Sequence, residues 1–331
     1  MSILVAGSAG HLGEALMRTF ADQGRAAIGI DIVPSRYTDH VGSITDRAFV
    51  ASVMNGVETV INTATLHKPH IATHSRQDFV DVNVTGTLNL LEEAQAHGVK
   101  AFIFTSTTSV FGHAMKPTPG GPATWITEAV TPIAKNIYGA TKLAAEDLCS
   151  LFWQIYRMPC LVLRTSRFFQ EGDDNASTRD RYTGLNARVN ELLYRRVDLE
   201  DIVTAHLCAV ERAPNIGFGK YIISATTPFT HDDLQLLQTD GPAAVRRHHD
   251  FDALYAGVKW SMFDTFDRVY VNDKARTELG WAPKYDFGMA LSLMRSGLPP
   301  FSRLHMMVGS KHYHDEQFED GPFPLEQRAD G

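Results

Sequence analysis

The 331-residue chain has little of what would place it in several large classes of protein. Its three cysteines, Cys149, Cys160 and Cys208, include no Cys-x-x-Cys pair, so neither a disulfide framework nor a zinc knuckle is expected. Cys149 and Cys160 stand in apolar surroundings and read as buried structural thiols. Lys and Arg number 31 against 38 Asp and Glu, a formal charge of −7. No basic run offsets that balance, which argues against nucleic acid as a partner. No apolar run reaches the length of a bilayer span, so no membrane association is expected. The apolar N-terminal stretch lacks a basic flank and is too short for a secretory signal, which makes the cytoplasm the expected location. Histidine is plentiful, yet its spacing is poor for a metal: Lys68-Pro69 breaks any helix between His67 and His70 or His74, and His305, His312 and His314 fall in a C-terminal tail without periodicity. No metal is expected.

What is present begins at once. Ser2–Ala6 is a short apolar run, Gly7-Ser8-Ala9-Gly10-His11-Leu12-Gly13 follows it, Glu14–Phe20 reads as a helix, and a second apolar run, Ala26–Ile30, ends on Asp31. Strand, glycine turn, helix and a strand tipped with a carboxylate form a dinucleotide-binding unit. Gly7 permits the tight turn, Gly10 lets the backbone approach a pyrophosphate, and Gly13 lets helix pack on strand. Strand and helix patterns then alternate. Val57–Asn62, Ala101–Thr105 and Cys160–Leu163 read as strands; Gln77–His97, with Val80, Val84, Leu88 and Leu91 on one stripe, and Tyr138–Tyr156 read as helices. This predicts an α/β fold, a doubly wound parallel sheet of Rossmann type with a small C-terminal substrate-binding region. Residues 1–165 are expected to form the cofactor domain and 166–331 mainly the substrate region, with some segments returning to the first. Gln170–Leu185 is polar and reads as a mobile loop. Asp198–Arg212 reads as a helix, Tyr221–Ser224 as a strand and Asp232–Gln238 as a helix. Arg246-Arg247 reads as solvated charge.

Tyr138 and Lys142 lie one helical turn apart and point the same way. A nearby ammonium stabilises phenolate and draws a tyrosine toward working pH, where it can exchange the proton of a carbinol while hydride moves. The preceding strand ends in the hydroxyl-rich run Thr105-Ser106-Thr107-Thr108-Ser109. With Gly7-x-x-Gly10-x-x-Gly13, Asp31, Asn83-Val84-Thr85-Gly86-Thr87, Tyr138-x-x-x-Lys142 and Leu279-Gly280-Trp281-x-Pro283, the chain resembles the extended short-chain dehydrogenase/reductases, in their NAD-dependent epimerase/dehydratase branch, over about residues 1–295.

The resemblance implies NAD as cofactor and Thr107, Tyr138 and Lys142 as the catalytic set. Thr107 would bond the reacting oxygen, Tyr138 would be the acid/base, and Lys142 would hold the nicotinamide ribose. Gly7, Ala9, Gly10, His11, Leu12, Gly13, Asp31, Ile32, Ser43, Ile44, Thr63, Ala64, Thr65, Asn83, Thr105 and Thr165 would line the cofactor, with Asp31 on the adenosine ribose. Thr107, Thr108, His67, Arg167 and Arg195 are the candidate substrate residues. A homodimer is implied, paired through the helices near 77–97 and 138–157, with Val80, Val84, Phe152 and Trp153 offering apolar surface. Three departures bear on the substrate. Ser43 stands where the family has an adenine-binding Asp, Arg167 where nucleotide-sugar enzymes have Asn, and Tyr194 where they have a diphosphate-gripping Arg, although Arg195 and Arg196 adjoin it. Thr107-Thr108-Ser109 lacks the acid of a dehydratase. The expected activity is NAD-dependent hydride transfer at a secondary carbinol or ketone of a sugar or sugar-like substrate. The alternatives are a dehydrogenase or reductase of a small non-nucleotide sugar, sugar acid or ketone, and a non-catalytic cofactor-sensing protein.

Overall fold

In a computed structural model, residues 2–173 and 175–311 are described. Apolar and β-branched runs form the strands β1 (Ile3–Ala6), β2 (Ala27–Asp31), β3 (His40–Val41), β4 (Thr59–Asn62), β5 (Ala101–Thr107), β6 (Thr124–Ile126), β7 (Cys160–Thr165), β8 (Phe218–Ile223) and β9 (Arg268–Tyr270). Seven of them make one sheet in the order β3-β2-β1-β4-β5-β7-β8, with every neighbouring pair parallel. The other two, β6 and β9, pair with each other. The order reverses beside β1, and the crevice at that point, at the carboxyl ends of the strands, is where such sheets bind ligands.

Helices cover both faces. They include α1 (His11–Asp22), α2 (Arg47–Val53), α3 (Arg76–Val80), α4 (Gly86–Ala96), α5 (Ile137–Tyr156), α6 (Ala176–Arg181), α7 (Gly184–Glu191) and α8 (Leu199–Ile216). Alternation along β1 sends Ile3 and Val5 into a core shared with α1 and α8, and Leu4 and Ala6 into one shared with α2, α4 and α5. A third core, around Tyr255, Phe263, Phe266 and Phe287, lies apart from the sheet and supports the remaining wall of the site.

Some expectations change. The helix expected over 77–97 is interrupted by a π-helical turn at Asp81–Thr85. Its extra residue rotates the buried face onto Phe79, Asn83, Leu90 and Leu91, and Val80, Val84 and Leu88 are left half-buried. The polar stretch 170–185 holds α6 and the start of α7, capped by the side chains of Asn175 and Thr183 rather than marked by an apolar stripe. The tail carries a helix, Arg303–Val308, capped by Ser302. His312 and His314 lie outside the described residues. No group of three or more His, Cys, Asp or Glu among the described residues is placed to hold a metal, and no described helix is long and apolar enough to cross a membrane.

Candidate active site

The glycine turn leads from β1 into α1. Gly7 has φ +86°, and a Cβ there would sit 2.7 Å from the Ala64 nitrogen. A Cβ on Gly13 would lie 1.9 Å from the Gly7 carbonyl oxygen, so helix and turn touch backbone to backbone. At Gly10 a Cβ would meet only that carbonyl, at 3.4 Å, and would otherwise take up cleft space. No side chain caps α1, which leaves its first-turn amides available to an anion. One oxygen of Asp31 accepts from the Ala9 amide and the other from the Val33 amide, both at 2.9 Å. An uncapped helix start, a turn with no room for a side chain at Gly7 or Gly13 and a carboxylate fixed at the tip of β2 together fit a dinucleotide.

Two adjacent cavities meet at Tyr138. The smaller, about 120 Å³, is lined by Gly7, Gly10, His11, Leu12, Gly13, Thr63, Thr65, Thr105 and Thr165 among others. The larger, about 700 Å³, takes in Thr107, Thr108, Arg167 and Arg195. His67 and Tyr138 line both. Ala9, Asp31, Ile32, Ser43, Ile44, Ala64, Asn83 and Lys142 line neither. Of these, Ile32 is exposed, and Ile44 is buried in the core against α4. Ser43 shares a hydrogen bond with Thr45 at 2.8 Å. Buried Asn83 secures the loop after β4: its amide oxygen accepts from the Leu66 amide and Thr65 hydroxyl, both at 2.9 Å, and its nitrogen donates to the Thr141 hydroxyl at 3.0 Å. The His67 amide donates to His70 Nδ1 at 3.0 Å, and their rings meet edge to face, which is a local structural arrangement.

The catalytic candidates are buried. Asn136 caps α5, which sets Tyr138 and Lys142 in its first two turns. The Thr107 hydroxyl lies beside the Tyr138 phenol; burial pushes that phenol up to about 12, a rise that the nearby hydroxyl opposes. The Lys142 amine turns away to donate to the Thr105 carbonyl at 2.6 Å, over the Phe104 ring, and burial lowers it to about 7. The helical spacing predicts a phenol drawn down by its lysine. Here loss of water dominates at both groups, and each moves toward its neutral form.

Sequence reasoning did not single out His206. Its Nδ1 faces the Ile202 carbonyl at 2.8 Å and so carries the proton, which leaves Nε2 to accept from the Thr105 hydroxyl at 2.8 Å. Burial depresses this imidazole to about 4, so it stays neutral and fixes Thr105, whose carbonyl holds Lys142. Below Lys142, Glu146 is fully buried and takes bonds from Arg164 (2.7 Å to Nη2), Ser106 (2.7 Å) and Lys220 (3.1 Å). The strand end is thereby locked from inside.

The candidate substrate arginines are committed to neighbours. Arg167 donates to the Gly172 carbonyl at 2.7 Å and faces Asp173 at 3.4 Å. Arg195 spans Asp173 at 2.5 Å and Glu191 at 2.7 Å. Arg196 is buried, with Glu191 at 2.6 Å and the Phe169 carbonyl at 2.9 Å. Arg268, also missed, lines the larger cavity. Its signal in the sequence was a cation two residues before Tyr270 in a short strand, hence on the same face.

A model of the NAD-dependent epimerase/dehydratase family matches residues 3–221. Among curated proteins, the chain is 28% identical over 204 residues to a 3β-hydroxysteroid dehydrogenase/Δ5→4-isomerase of Mycobacterium tuberculosis, covering 59% of this chain and 54% of that protein. It therefore spans about half the length of that relative. It is 26% identical to a UDP-glucose 4-epimerase of Rhizobium leguminosarum bv. trifolii, covering 86% of this chain and 93% of that protein. Among solved structures, a short-chain dehydrogenase/reductase superfamily protein from Agrobacterium tumefaciens with bound NAD has a TM-score of 0.62 at 24% identity, covering 87% of this chain and 94% of that one.

Proposed function

Because the chain belongs to the NAD-dependent epimerase/dehydratase family, we propose that it transfers hydride between NAD and a secondary carbinol or ketone of a small sugar-like substrate. The observation that carries this reading is Tyr138, set beside Thr107 and lining both the glycine-turn cleft and the larger cavity. The first-turn amides of α1 would hold the pyrophosphate, Asp31 the adenosine ribose and Lys142 the nicotinamide ribose. Bound NAD supplies the hydride acceptor. Thr107 and Tyr138 would bond the reacting oxygen together. A phenol near 12 is protonated at neutral pH and ready to donate to a ketone oxygen. In the reverse direction it must accept the carbinol proton, which needs a cation nearby; Lys142, lowered to about 7, can supply that charge once its amine leaves the Thr105 carbonyl.

Thr107, Thr108, Ser109, Asn136, Asn175 and Thr178 give the cavity the donors and acceptors that a polyhydroxylated substrate requires. The arginines next to Tyr194 are held by Glu191 and Asp173, which supports a substrate without a nucleotide diphosphate. Assembly as a homodimer through α4 and α5 is part of this proposal. The test is turnover of hexoses, hexuronates, sugar phosphates and UDP-glucose with NAD, following NADH by absorbance and epimers by NMR. Tyr138→Phe should lower the rate by about 10²–10⁴ while keeping NAD affinity. A variant that keeps more than about a hundredth of the rate would assign the proton carrier elsewhere. Rapid conversion of UDP-glucose would overturn the small-substrate reading.

A further inference from the structure

The larger cavity is lined by several cations, and they differ in how completely their charge is answered. Arg167 and Arg195 share Asp173, which is buried, and Arg195 also reaches buried Glu191. Their charge is met inside the protein by carboxylates that water does not screen. Arg268 is placed differently. Its guanidinium lies over the rings of Tyr194 and Tyr270, each at 5.5 Å. Nε donates to the Tyr270 hydroxyl at 3.1 Å and Nη1 to Asp267 at 2.6 Å. Among the described residues, Nη2 makes no hydrogen bond. The Arg268 side chain is 14% exposed, whereas its carboxylate partner is 45% exposed and so partly screened by water.

A guanidinium that lies near two aromatic rings, on a strand, with Nε and Nη1 fixed by hydrogen bonds and one nitrogen still able to donate, is pre-organised for an oxyanion. Its remaining nitrogen, Nη2, can donate a charge-assisted bond to an oxygen of a carboxylate or phosphate from a position that its other two nitrogens fix, a constraint that a flexible lysine lacks. The hydroxyl and amide side chains around the same cavity suit sugar hydroxyls but cannot neutralise a charge. We propose that Arg268 is the specificity-determining residue of the larger cavity and that the substrate carries one carboxylate or phosphate beside its hydroxyls. This rests on the hydride-transfer reading of the same site.

The experiment is calorimetric titration of the NAD-saturated protein with glucose, glucuronate and glucose 6-phosphate, in wild type, Arg268→Gln and Arg268→Lys. At least one anion should bind the wild type about tenfold or more tightly than glucose, the scale of a single charge-assisted contact. Arg268→Gln should erase that preference, and Arg268→Lys should restore only part of it. Whichever anion loses more in Arg268→Gln identifies carboxylate or phosphate as the recognised group. A preference that survives Arg268→Gln overturns the proposal, as does glucose binding as tightly as both anions, or neither anion binding at about 10 mM. Should Arg268→Gln fail to fold, phenylglyoxal modification of the wild type, mapped by mass spectrometry, gives the answer: glucuronate or glucose 6-phosphate should protect Arg268 and glucose should not. Protection confined to other arginines overturns the proposal. Retained hydride transfer in Tyr138→Phe, or absence of NAD binding, would instead defeat the functional reading and leave the anion titrations to stand by themselves.

Discussion

Replacing Lys142 by methionine should stabilise the protein in the absence of NAD and at the same time weaken NAD binding and end turnover. Methionine has nearly the length of lysine but no charge to bury. The fall of the amine from 10.5 to about 7 corresponds to roughly 5 kcal/mol favouring the neutral form in the folded state, at about 1.4 kcal/mol per pKa unit. Against this, the Thr105 carbonyl loses a donor, at a cost of about 1–3 kcal/mol. The net gain near pH 7 is then about 2–4 kcal/mol. It should depend on pH in one direction. Between about 7 and 10.5 the unfolded chain holds the Lys142 proton more tightly than the folded one, so wild-type stability rises with pH across that window. Below about 7 both states are protonated and the contribution is flat. Guanidinium unfolding of wild type and Lys142→Met at pH 6, 7, 8 and 9 isolates this group, since other titrations cancel in the difference. The advantage of the variant should shrink by about 2 kcal/mol from pH 7 to 9. A pH-independent difference, or a variant less stable at every pH, would refute the argument that burial neutralises this amine.

NAD should bind about tenfold or more tightly than NADP, because the Asp31 carboxylate would face the added 2′-phosphate with like charge. Titration of both cofactors checks this; Asp31→Ser should narrow the ratio, and an unchanged ratio would move the discrimination elsewhere. The protein should be a dimer by light scattering. Phe152 is buried in the sheet core and Trp153 packs against Gly217, so the exposed apolar face of α5 is instead Leu151, Ile155 and Tyr156. Ile155→Glu should give a monomer, and a monomeric wild type at micromolar concentration would count against the assembly.

The sheet and the glycine turn were legible in the sequence because both are local: a strand buried on both faces must be apolar throughout, and a backbone contact as close as that between Gly7 and Gly13 allows no side chain. Tyr138 and Lys142 were visible through helical spacing. Their protonation was not, since spacing gives direction and says nothing of burial or of the Thr105 carbonyl that claims the amine. The fate of Arg167 and Arg195 was equally hidden, because Asp173 and Glu191 reach them through turns of α7 and of the loop after β7 that have no periodic signature. Arg268 lies 130 positions beyond Tyr138 in the sequence, yet both line one cavity, an adjacency that only the fold creates.

The last strand of the sheet has a consequence for cutting or recombining this chain. The order places β7, buried along its whole length, between β5 and β8, and β8 arrives only after the excursion that builds the cavity wall. That excursion is tied to the sheet margin: Arg167 bonds the Arg195 carbonyl and accepts from the Val197 amide, and the Ala225 amide bonds the Arg196 carbonyl. A gene fragment ending near Thr165 would therefore leave Cys160–Thr165 as a bare apolar edge open to pairing with another chain. The cofactor half is thus poorly suited to being grafted or expressed alone, and exchange of the substrate wall between relatives calls for crossover points after β8.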